Sequence, residues 1–224
     1  MVPQPVKAVI LLFPVTGSIK AQREEEDVRI KADGQVPVDP TVVWIKQTIG
    51  NACGTMALLH ALANSDVAFG PQSALAKFID QCKPLSPEER AHLLQTTPLF
   101  TSIHAETAAT GQTAASEADM NTDLHFTVFV SAPEADFREK ARIAGTEAGQ
   151  AALEDAVKDA DKAAQEGKES SGNRIIELDG DRQGPIDRGP CNDLLKDVAE
   201  YVKKEYIGHS SSVQFSMLAL APPA

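Results

Sequence analysis

A chain of 224 residues that is 42% hydrophobic but only 5% aromatic can bury one domain's core, built mainly from aliphatic side chains. Its formal net charge of −11 argues against a nucleic-acid partner and is compatible either with a basic partner surface or with solubility alone. No apolar run approaches the roughly 20 residues of a membrane span. The three cysteines, Cys53, Cys82 and Cys191, form no close pair and follow no secretory segment, which implies a reduced intracellular compartment rather than a disulfide framework.

In chain order, Lys7–Phe13 is short, continuous and β-branched, the pattern of a buried strand. Residues 18–33 are charged and helical in composition, and Gly34 ends them. Val42–Lys46 reads as a second strand. After the turn Gln47–Asn51, Asn51 is placed to cap a helix from Ala52 to about Ala63, with Met56, Leu59 and Ala63 along one apolar face. A further helix spans Pro71 to Cys82. Ser86, Pro87 and Glu89 form a capping-box start for a helix ending near Gln95. Ile103–Asn121, rich in Ala, Thr, Gly and Ser, has little to bury and reads as a flexible surface loop.

Leu124–Val130 and Arg174–Asp179 are the next strands. Between them Ser131–Asn173 holds 43 residues, 11 of them alanine, and reads as an exposed helical or partly disordered excursion, with a partner-binding helix as the alternative. Asp181–Gly189 is turn-rich, residues 191–206 form an amphipathic helix, and Val213–Leu220 is a last strand. Strands and helices mix without βαβ regularity, so the expected class is α+β with a central, mostly antiparallel sheet flanked by helices.

Cys53 falls in the first turn of its helix, where backbone N–H groups and the helix dipole favour a thiolate. Gly54 beside it leaves room for a substrate backbone. A free cysteine is also a common small core residue, so Cys53 needs a base. His60 lies seven residues on along the same helix, roughly 10 Å away along its axis, beyond proton transfer. His92 sits on the polar capped helix, His104 in the flexible loop and His209 in a turn. His125 opens an apolar strand, a rigid mount at the edge of a cleft. Asp179 ends the strand that would pair with it and is the candidate to orient the imidazole. Asp181 and Asp187 compete, and order and element type favour Asp179. Gln47, six residues before Cys53, can donate to an oxyanion beside the Cys53 backbone N–H. A Gln shortly before a Cys at a helix start is the papain-like arrangement.

Lys46–Thr55 (KQTIGNACGT) resembles the nucleophile segment of the ubiquitin C-terminal hydrolase family. Asp123–Phe126 resembles its histidine segment and Glu177–Gly180 its aspartate segment. Pro5–Pro14 and Ser86–Arg90 also match, closest to the small, L3-type cysteine hydrolases. The resemblance implies a single papain-like domain over 1–224 with an insertion at 131–173, starting at a segment that lies inside related proteins and so lacking the family's first strand. It implies a thiol protease in which Cys53 is the nucleophile, His125 the general base and then acid, Asp179 its orienting carboxylate and Gln47 part of the oxyanion hole, with no metal or cofactor. Ile103–Asn121 would be the family's crossover loop, restricting leaving groups to small or flexible ones. The implied partner is ubiquitin, whose C-terminal tail is basic, or a ubiquitin-like modifier such as NEDD8. The implied enzyme is monomeric and cytoplasmic, with the nucleus a second location. The alternative is an impaired ubiquitin-binding remnant.

Overall fold

The run of apolar residues at Ala8–Pro14 forms β1, which is buried almost throughout because it has a partner strand on either side and packing on both faces. Alternation sorts its side chains. Val9, Leu11 and Phe13 join one core cluster, and Ala8 and Ile10 join another. The structure, a computed structural model, describes residues 2–15, 17–70, 72–97, 123–135 and 172–223. The expected loop Ile103–Asn121 lies outside the described residues, as does the greater part of the 131–173 insertion.

Five strands are described: β1, β2 (Leu124–Pro133), β3 (Asn173–Leu178), β4 (Ile186–Pro190) and β5 (Ser216–Leu220). Their order is β4-β3-β2-β1-β5 and each pairing is antiparallel, as the sequence led us to expect. β2 and β3 pair up to Pro133↔Asn173, and the Glu134 N–H bonds to the Gly172 carbonyl at 2.8 Å. The ladder therefore continues into the expected 131–173 insertion, whose residues 131–133 and Asn173 belong to β2 and β3.

Among the described residues five α-helices surround the sheet: α1 (Gly17–Asp33), α2 (Cys53–Ala63), α3 (Ala74–Cys82), α4 (Pro87–Thr96) and α5 (Leu194–Glu205). One face of the sheet packs on α5 through Leu194, Val198 and Val202, with Ile19 of α1 in the same cluster. The other face packs on α2 through Ala57 and Ala61. The capping box at α4 forms as expected, with Ser86 and Glu89 each accepting the other's backbone N–H. Helix α1 buries only Ile19 and docks by charge instead. Glu26 and Asp27 receive Arg182 at 2.8 Å each, Glu26 also meets Arg188, and Arg23 reaches Asp179. Among the described residues no helix is long and apolar enough to cross a membrane.

Four local expectations change. Val42–Lys46 is not a strand, although Val42 to Ile45 are buried. Side chains take the place of a ladder. Asn64 both accepts from the Val43 N–H (2.7 Å) and donates to its carbonyl (2.8 Å), His60 Nε2 accepts from the Ile45 N–H (2.9 Å), and Arg90 donates to the Trp44 carbonyl (3.1 Å). Asn51 does not cap α2. It takes a left-handed φ of 56°, which Asn tolerates, and the N-cap position falls to Ala52, which supplies no side-chain bond. Helix α3 starts at Ala74 rather than Pro71, because Gln72 adopts φ 68° and Ser73 caps by accepting from the Ala76 N–H. Within the turn-rich 181–189 stretch the chain forms edge strand β4. An edge position accommodates Pro190 and the irregular register near Arg174.

Candidate active site

β2 and β3 pair from Val128↔Leu178 onward, so His125, three residues before that pair, and Asp179, one residue after it, emerge at the same end of the sheet. The antiparallel register thus brings together two residues 54 apart in sequence. His125 Nε2 lies 2.9 Å from both Asp179 oxygens. His125 is also hydrogen-bonded to the thiol of Cys53. Cys53 reaches it from the first residue of α2 and is half-buried.

Gly54 lies against the start of β2. A Cβ at this position would meet the Phe126 ring at 3.4 Å. That is ordinary van der Waals contact with the residue next to His125, so the start of α2 packs against the start of β2 at this point.

The electrostatics of the three groups are complementary. The hydrogen bond from His125 lowers the Cys53 thiol pKa against the opposing effect of burial, and the backbone N–H groups of Phe126 and Gly54 add to the lowering. Burial pushes the His125 pKa down, but its bonds to Asp179 and Cys53 outweigh this and raise it to about 9. Burial alone would raise the Asp179 pKa, yet His125 and Arg23 hold it far below the usual carboxylate range. The arrangement favours a thiolate–imidazolium pair backed by a carboxylate.

Asp179 is secured on every side. Its Oδ1 accepts from the Asp181 N–H at 2.8 Å, its Oδ2 accepts from Arg23 Nη2 at 2.5 Å, and its carbonyl accepts from the Trp44 indole at 2.9 Å. Gln47 is tied to the same turn, its N–H donating to the Gly180 carbonyl at 2.8 Å. Gly180 is required there, since a Cβ would lie 2.8 Å from Gln47 Cβ and 3.1 Å from Gln47 N. The Gln47 side-chain oxygen is buried and has no hydrogen-bond partner among the described residues.

The remaining candidates separate clearly. His60 is wholly buried, accepts from Ile45, and has its pKa lowered by burial to about 4, so it is a neutral structural histidine. His92 is exposed on α4 and His209 is exposed in a short 3₁₀ turn, Ile207–His209. His104 lies outside the described residues. Of the competing carboxylates, Asp181 is exposed, and Asp187 is taken by a two-pronged pair with Arg174 at 2.7 and 2.8 Å. Sequence reasoning missed Arg23 and Trp44. The one available signal was the i, i+4, i+7 spacing of Ile19, Arg23 and Glu26, which puts them on one face of α1. Among the described residues no group of three or more His, Cys, Asp or Glu could hold a metal ion.

Residues 1–139 match the family described as ubiquitin carboxyl-terminal hydrolase, family 1. Ubiquitin carboxyl-terminal hydrolase 3 of Arabidopsis thaliana is 31% identical over 225 residues, covering 99% of this chain and 77% of that protein. The human isozyme L1 is 33% identical over 227 residues, covering 100% of this chain and 82% of that protein. Among solved structures, the Trichinella spiralis UCH37 catalytic domain bound to ubiquitin vinyl methyl ester has a similar fold. Its TM-score is 0.56 at 20% identity, covering 96% of this chain and 76% of that one. The chain belongs to the ubiquitin carboxyl-terminal hydrolases of family 1 and is a cysteine-type hydrolase.

Proposed function

We propose that the protein is a thiol-dependent deubiquitinase that cleaves ester, thioester, amide or peptide bonds after the C-terminal glycine of ubiquitin, releasing small or flexible groups. The observation that carries this reading is the hydrogen-bonded line Cys53–His125–Asp179 at one end of the sheet.

In this mechanism the Cys53 thiolate, its proton held by His125, attacks the glycine carbonyl and forms a tetrahedral oxyanion. The Cys53 backbone N–H and the Gln47 side-chain NH2 donate to that oxygen. The intermediate collapses, the imidazolium gives its proton to the leaving group, and a thioester remains on Cys53. His125 then takes a proton from water, the hydroxide adds to the thioester carbonyl, and the C–S bond breaks to return the thiolate. Asp179 stays ionised throughout and holds the ring. The net charge of −11 suits association with a basic ubiquitin tail.

The test is hydrolysis of ubiquitin carrying a fluorogenic amide at its C-terminus, with the NEDD8 amide in parallel. We expect turnover of the ubiquitin amide, preference for it over NEDD8, and a loss in kcat of roughly 10²-fold in Gln47→Ala, the size of one oxyanion donor. A folded wild-type chain without turnover of the ubiquitin amide contradicts the proposal.

A further inference from the structure

We propose that Arg23 is a positioning residue for the reaction, gripping the Asp179 carboxylate so that the carboxylate in turn orients His125. The proposal rests on the assignment of Cys53, His125 and Asp179 above and adds a residue from α1, an element that carries none of them.

Arg23 Nη2 sits 2.5 Å from Asp179 Oδ2 while His125 Nε2 is 2.9 Å from the same oxygen. The Arg23 and Asp179 side chains are 10% and 1% exposed, so the pair is shielded from water. Arg23 shares a second neighbour with His125. Its guanidinium carbon lies 5.1 Å from the centroid of the Phe13 ring, which meets the His125 ring edge-on at 5.6 Å between centroids. Phe13, Asp179 and Arg23 therefore form a bracket around the imidazole. The bracket is not built for stability alone, because Arg23 Nη1 is buried without a hydrogen-bond partner among the described residues, an arrangement that costs stability.

Without Arg23, the Asp179 carboxylate keeps only the Asp181 N–H on Oδ1 as an anchor besides His125, and it can rotate about its terminal bond. Its charge would also be answered by His125 alone. The charged and titratable groups around the imidazole are Cys53 on α2, Asp179 after β3 and Arg23 on α1, and Glu177 and Tyr206 face Arg23 from behind. In this set Arg23 is the group whose charge opposes protonation of His125. Removing it lets His125 keep its proton to higher pH.

The experiment is the pH profile of kcat/KM for the ubiquitin amide with wild type, Arg23→Met and Arg23→Lys. We expect Arg23→Met to lose roughly 10- to 100-fold, as mispositioning of a reacting group does, with the alkaline limb moved upward. Arg23→Lys should recover most of the rate and the wild-type limb. In an Asp179→Asn background, Arg23→Met should have little further effect on kcat. If Arg23→Met does not fold, Arg23→Gln, which keeps an N–H donor without the charge, should still move the limb upward. An unmoved limb in the uncharged variants, or losses in Arg23→Met and Asp179→Asn that multiply, overturns the role of Arg23 while wild-type turnover leaves the assigned triad standing. A folded wild type without turnover overturns both.

Discussion

Cys53→Ala and His125→Asn should each lower kcat/KM for the ubiquitin amide by roughly 10⁴- to 10⁶-fold, and the double variant should be no worse than either, because groups that act as a unit are not additive. The reasoning follows from the geometry. The Cys53 thiol owes its lowered pKa first to the His125 hydrogen bond, so removing the imidazole removes both the thiolate and the proton carrier. No other histidine can substitute among the described residues. His60 is neutral, enclosed and bonded to Ile45, and His92 and His209 lie exposed on other elements. Steady-state rates of the two single variants and the double variant check this, with circular dichroism to establish folding. Losses that multiplied in the double variant would mean that Cys53 and His125 act separately.

The second large effect is on stability. Glu177 on β3 is fully enclosed and charged, and it accepts from Tyr206 Oη at 2.6 Å, Arg188 Nε at 2.6 Å and Thr127 Oγ1 at 3.1 Å. Burial opposes its ionisation, and Arg188, Arg23 and Arg182 overcome that and lower its pKa. Glu177→Leu would leave the Tyr206 hydroxyl and one face of the Arg188 guanidinium without their acceptor in the core. Breaking a buried pair from one side costs roughly 3–5 kcal/mol. Arg188 retains Glu26, which puts the expected loss at the lower end, about 3 kcal/mol, or a fall in Tm of roughly 6–12 °C. A thermal melt followed by circular dichroism measures it. Pairing the change with Arg188→Met should recover part of the loss, since no cation is then left facing an apolar side chain. A Tm within a degree of wild type in Glu177→Leu would show that the network contributes nothing to the fold.

Three features of the protein could be read from its sequence, each for its own physical reason. β1 was legible because a strand covered on both faces must be apolar throughout, and Ala8–Pro14 is. The meeting of His125 and Asp179 was legible because an antiparallel register brings the ends of paired strands together. The α4 start was legible because a capping box is wholly local, Ser86 and Glu89 completing each other within one turn.

Failures came where the deciding partner was distant. Val42 to Ile45 look like a strand because they are apolar and β-branched. Their backbone is satisfied by Asn64, His60 and Arg90, side chains that periodicity does not register. Arg23 looked like one more charge on a solvated helix, since Asp179 lies 156 positions away. Asn51 is a good capping residue in isolation, but the turn from Gln47 to α2 requires a left-handed residue there, and Asn is among the few that accept one. β4 carries Gly, Pro and Asp, turn residues that an edge strand tolerates because one side of it has no ladder.

The central claim, that Cys53 is the nucleophile of a site addressed to the ubiquitin C-terminus, has a direct test. The purified 224-residue chain is incubated with ubiquitin bearing a thiol-reactive group at its C-terminus, beside Cys53→Ala, and the adduct is located by peptide mass spectrometry. The account predicts one ubiquitin joined to wild type through Cys53, with Cys82 and Cys191 unmodified because both are buried and burial raises their thiol pKa values. No adduct should form with Cys53→Ala. A folded wild-type chain that binds ubiquitin without forming the adduct, or an adduct on Cys82 or Cys191, would contradict it.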